Sequence, residues 1–73
     1  MTRVSVRTRY GLVELTAPDR HHALAEAIHL IRQQLPLTLA RELTIKWLEE
    51  TVAQGDHPVR FRDNTTAVTV RIA

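Results

Sequence analysis

Val59-Arg60-Phe61-Arg62-Asp63-Asn64-Thr65-Thr66-Ala67-Val68-Thr69-Val70-Arg71-Ile72 decides how the rest of the chain is read. Val59 and Phe61 alternate with Arg60 and Arg62, and Val68, Val70 and Ile72 alternate with Ala67, Thr69 and Arg71. A period of two in β-branched and aromatic residues predicts strands with one apolar and one polar face. Asp63-Asn64-Thr65 supplies turn chemistry between them, since Asn tolerates the left-handed conformation. The stretch is a β-hairpin opened by His57-Pro58.

The same period occurs at the other end of the chain. Over residues 2–9, Val4, Val6 and Thr8 point one way and Arg3, Ser5, Arg7 and Arg9 the other. Arg9-Tyr10-Gly11 reads as a tight turn in which Gly11 takes positive φ. A short second strand over residues 11–15 then puts Val13 and Leu15 on one face. The rival is one strand over residues 2–15, but strands of about five or six residues are the norm and favour the hairpin.

Between the hairpins the period changes. Thr16 or Asp19 caps a first helix, Pro18 suits its first turn, and Asp19 faces the positive end of its dipole. Leu24, Ala27, Ile28, Ile31 and Leu35 form a one-sided apolar stripe, so the helix is expected over about residues 19–34. Pro36 disfavours helical geometry at Leu35 and ends it. Thr38 caps a second helix over about residues 39–54, with Gly55 as its stop. On a 100° wheel Leu39, Ala40, Leu43 and Trp47 cluster, and Ile45, Leu48 and Val52 widen the apolar arc beyond half the circumference. Glu42, Lys46, Glu49 and Glu50 hold the remaining edge, with Glu42–Lys46 and Lys46–Glu50 spaced to pair.

The order β-β-α-α-β-β predicts an α+β, two-layer sandwich: one antiparallel sheet made of two hairpins, its terminal strands adjacent, with two helices packed on one face. All 73 residues are expected to form one domain. Length excludes a catalytic barrel or a doubly wound nucleotide-binding sheet. With no cysteine, disulfide scaffolds and thiolate metal sites are excluded. No apolar run has membrane-spanning length and the N-terminus does not look like a signal peptide, so the expectation is a cytoplasmic protein without a membrane partner.

The charge pattern carries the functional expectation. Net charge is only +2, but the registers gather Arg3, Arg7, Arg9, Arg60, Arg62 and Arg71 on the outward sheet face, while helix two exposes glutamates. Planar guanidinium forks suit phosphates and carboxylates. With Tyr10 as the one plausible exposed ring, these residues predict a small non-catalytic binding or regulatory protein. Its partner is an acidic protein surface or a nucleic-acid backbone, and its preferred form is an inhibitor or modulator of a nucleic-acid-handling machine. The alternatives are direct regulation through DNA or RNA binding, and an oligomerisation module, such as a homodimer, using Ile45, Leu48 and Val52 of helix two. A solvated polar sheet face with no partner accounts for the same arginines.

No cofactor is expected. His22, Glu26 and His29 share one stripe of helix one, with Asp19 or His21 as further candidates, but a structural zinc site needs four ligands and no fourth is evident. The chain has no glycine-rich phosphate loop and no nucleophile elbow or metalloprotease motif, so it is not expected to be an enzyme. Ile28-x-x-Ile31-Arg32 followed by Leu37-x-Leu39 resembles the helix-turn-helix of the ribosomal stalk protein's C-terminal domain over residues 28–39. Pro36 and Thr38 stand where that family has glycines, and neither its fold nor its function is carried over. In size and composition the chain also resembles small phage- or plasmid-encoded regulators.

Overall fold

The computed structural model describes residues 1–55 and 57–73. The elements are β1 (Thr2–Thr8), β2 (Gly11–Ala17), α1 (Arg20–Gln34), α2 (Leu39–Ala53), β3 (Val59–Asp63) and β4 (Val68–Ile72). The strands form one antiparallel sheet in the order β2-β1-β4-β3, so the terminal strands are neighbours at its centre. This is the expected α+β order.

Each boundary has a local cause. Thr8 pairs with Gly11 across a two-residue turn at Arg9-Tyr10, and Gly11 takes φ +133°, which a side chain would resist. β2 runs two residues further than expected, because Thr16 and Ala17 continue the ladder opposite Arg3 and Thr2. Of the two candidate caps, Asp19 starts α1: its backbone is extended and its carboxylate accepts the His22 N–H at 2.9 Å. Leu35, before Pro36, is extended at φ −104°, ψ 145° and ends the helix. Thr38 caps α2, its hydroxyl accepting the Arg41 N–H at 3.2 Å. Gly55 is not the left-handed stop expected of it; α2 closes on Gln54 in right-handed geometry. In the second hairpin the left-handed residue is Ala67, at φ 58°, rather than Asn64.

The core lies between the sheet and the helices. Val4, Val6, Val68, Val70 and Ile72 from the central strands are 0–1% exposed, and they meet Ala23, Ala27 and Ile31 of α1 and Ile45 and Leu48 of α2. The alanines have nothing beyond Cβ, which lets α1 lie close on β1. Ile45, Leu48 and Val52, expected as a possible self-association surface, are 3%, 0% and 8% exposed. This corrects the expectation, since side chains that already fill the core have no surface to offer a second copy. The apolar residues that α2 turns outward are Leu39 and Trp47, with Leu43 half-buried.

A polar cluster is part of this core. The Thr44 hydroxyl, fully buried, donates to the Asp63 carboxylate and lies 3.0 Å from the Thr66 hydroxyl. The other Asp63 oxygen accepts the Thr65 N–H at 2.8 Å. The Thr44 hydroxyl also lies 2.9 Å from the Ala40 carbonyl one turn back, so its single proton is shared between that carbonyl and the carboxylate, and Thr66 donates to the Thr44 oxygen. The cluster ties α2 to the β3–β4 turn and satisfies a buried carboxylate. Among the described residues, no helix is long and apolar enough to cross a membrane.

Candidate functional site

Alternation sends one side chain in two to the sheet face that no helix covers. β1 contributes Arg3, Ser5 and Arg7; β3 contributes Arg60 and Arg62; β4 contributes Thr69 and Arg71; β2 contributes Leu12, Glu14 and Thr16. The register arranges them in rows. Glu14, Ser5, Arg71 and Arg60 lie side by side across the four strands, and Leu12, Arg7, Thr69 and Arg62 form the next row. Arg3 lies between Thr16 and Ala73, exchanging backbone hydrogen bonds of 2.7 and 2.9 Å with Ala73. Neighbouring strands lie about 4.8 Å apart, so five guanidinium groups share a narrow patch.

Arg71 is at its centre. Arg60 is directly opposite on β3, and Arg62, Arg3 and Arg7 occupy the diagonals. Like charges directly opposite on neighbouring strands are destabilising. All five arginines are exposed, and among the described residues no carboxylate lies within 4.0 Å of any of their guanidinium groups. Glu14 is the one acidic side chain that the described residues place on this face. Two shallow grooves cross it, of about 360 and 340 Å³; Ser5, Glu14 and Arg71 line both, joined by Arg3 in the first and by Arg7, Leu12 and Thr69 in the second.

The remaining arginines are used differently. Arg20 donates to the backbone carbonyls of Val52, at 2.9 Å, and His57, tying the end of α2 to the start of α1. Arg32 and Arg41 both engage Glu42, at 3.7 and 3.0 Å. Arg9 belongs to neither group. Alternation put it on the outward face, but β1 ends at Thr8, and the turn carries Arg9 and Tyr10 to a cleft walled by Leu35, Pro36, Thr38 and Thr65 on the helix side. Both are exposed, yet they lie apart from the other five arginines. Ser5, Thr69, Glu14 and Leu12, not singled out from the sequence, complete the face, and the same alternation identifies them.

The helical layer is close to neutral, because Arg20, Arg32, Arg41 and Lys46 balance its glutamates. Glu42, Glu49 and Glu50 of α2 and Glu26 of α1 are exposed there, with Lys46 among them. The candidate metal-ligating residues do not form a site: among the described residues no three His, Asp or Glu side chains converge. His22 instead bonds through Nδ1 to Asp19 at 2.9 and 3.0 Å. The backbone N–H of His22, then its ring, hold the Asp19 carboxyl below its usual 3.8.

No protein-family model matches the chain, and no curated protein sequence or solved structure is significantly similar to it.

Proposed function

We propose that this chain is a small, non-catalytic binding protein that docks the uncovered face of its sheet on an anionic macromolecule in the cytoplasm. The observation that supports it is the grouping of Arg3, Arg7, Arg60, Arg62 and Arg71 on one face without carboxylate partners among the described residues, while Arg20, Arg32 and Arg41 are engaged within the fold. A cluster with a like-charged pair at its core costs folding free energy, and a polyanion that inserts acceptors between the guanidinium groups relieves that cost on binding. With the helices close to neutral, the positive excess lies on the sheet face and turns that face toward such a partner. In this role the protein modulates or inhibits a nucleic-acid-handling machine by occupying either the nucleic acid or an acidic surface of the machine.

The test uses a labelled DNA duplex and a polyglutamate chain as probes. At 50 mM salt the protein is expected to bind at least one of them, with an affinity that falls as salt rises. The Arg7→Ala/Arg60→Ala/Arg62→Ala variant, checked for folding by circular dichroism, is expected to bind at least tenfold more weakly. Binding to neither probe, or unchanged affinity in the folded variant, overturns the proposal.

A further inference from the structure

We infer that the occupant of the arginine face is the paired phosphodiester backbone of a nucleic-acid duplex, held without reading of the bases. This rests on the reading just given and narrows it from polyanions in general to one.

The composition of the face argues against a protein partner. Protein interfaces carry their energy in a central cluster of aromatic or apolar anchors surrounded by a polar rim. Here the arrangement is inverted. The centre is Arg71, with Ser5 beside it on β1, Arg60 on β3 and Thr69 two residues along its own strand, and among the described residues the one large outward apolar side chain, Leu12, lies on the edge strand β2. A polar, strongly positive patch without an anchor is the composition of interfaces with nucleic acid, which are wet and basic throughout.

The absence of rings separates duplex from single strand. Proteins that hold single strands stack exposed bases on aromatic side chains. None of the described aromatic residues is on this face: Phe61 points into the core, Trp47 is on α2, and Tyr10 is in the β1–β2 turn. A duplex keeps its bases stacked inside and presents only phosphates and sugars, which is what unstacked guanidinium and hydroxyl groups can contact. The face is a four-stranded sheet, broader than the two-stranded ribbon that fits a major groove, and the described residues project no helix from it, so contact stops at the phosphates.

Anisotropy titrations of the full chain test this with three probes: a mixed-sequence 20-base-pair DNA duplex, one of its single strands, and polyglutamate. The duplex is expected to bind most tightly, and a duplex of scrambled sequence equally well. If all five arginines neutralise phosphates, log K falls against log salt with a slope of about −4.5, a loss of roughly 500-fold between 50 and 200 mM. Arg71→Gln should make that slope shallower by about 0.9, a change that a merely weakened fold would not produce. Tighter binding of polyglutamate overturns the duplex assignment and leaves the wider proposal standing. Equal or tighter binding of the single strand, or an unchanged slope in Arg71→Gln, also overturns it. Binding of none of the probes removes both.

Discussion

Replacing Arg71 by Gln should make the free protein more stable while making it a poorer binder. Arg71 faces one arginine directly and three diagonally, with Glu14 beyond Ser5 on the same row. Taking charge separations of about 6 Å for the direct neighbour, about 8 Å for the diagonals and about 10 Å for Glu14, the net repulsion on Arg71 in water is about 2 kcal/mol before screening. Side-chain freedom and residual repulsion in the unfolded chain reduce this, so a gain of about 1 kcal/mol is expected at 10 mM salt, where the Debye length is about 30 Å. At 1 M salt, with a Debye length of about 3 Å, the gain should nearly vanish. Urea unfolding is the assay, because urea leaves ionic strength unchanged. With an m-value near 1 kcal/mol/M for a chain of this size, the midpoint should rise by about 1 M at low salt. A variant no more stable than the parent at 10 mM salt would show that the guanidinium groups do not strain one another. A gain that persisted at 1 M would trace the effect to local conformational preference rather than charge.

Three further outcomes follow from the fold. Thr44→Val removes the hydroxyl that donates to buried Asp63 and should cost about 1.5–3 kcal/mol in urea unfolding; a loss below about 0.5 kcal/mol would show that the cluster does not bind α2 to the turn. Ala67→Gly relieves a side chain held at φ 58° and should stabilise by about 0.5–1 kcal/mol after the extra chain entropy of glycine is counted, whereas Asn64→Gly should bring no such gain. Asp19 has a carboxyl pKa depressed by its bonds to His22, so its charge stabilises the fold above the ordinary carboxylate pKa and that contribution is lost as pH falls through the lowered value. The stability difference between the parent and Asp19→Asn should therefore be steady near neutral pH and shrink in acid; a difference that did not change between pH 6 and pH 2, approximate limits set around an unperturbed aspartate, would refute the assignment.

The two hairpins were legible because their alternation is strict. Val4, Val6, Val68, Val70 and Ile72 could face only one way once a single face was buried, and the arginines between them were carried to the other. Alternation misplaces Arg9, where the ladder has already ended and the turn rather than the pleat sets the direction. α2 was legible in extent but not in orientation. Its apolar arc exceeds half the circumference, and nothing in the order of Leu39, Leu43, Ile45, Trp47, Leu48 and Val52 says which part meets the sheet. The structure buries Ile45, Leu48 and Val52 together with a threonine, Thr44, whose hydroxyl meets Asp63 and Thr66 of a distant turn as well as the Ala40 carbonyl of its own helix. Asp63 read as turn chemistry alone, since its contact with Thr44 joins residues far apart in the sequence. A cap could be narrowed to Thr16 or Asp19 but not chosen, since the choice depends on β2 continuing to Ala17.

The sheet also has two free margins, and they are unequal. Along β3 the margin runs beside Arg60 and Arg62 and begins just after Pro58, whereas along β2 seven residues from Gly11 to Ala17 carry a single charge, Glu14. Strand addition extends a sheet within its own plane and leaves both broad surfaces as they were. A chain zipped onto β2 would therefore lengthen the molecule without shading any guanidinium group, so growth sideways and capture of a ligand from above are geometrically independent events.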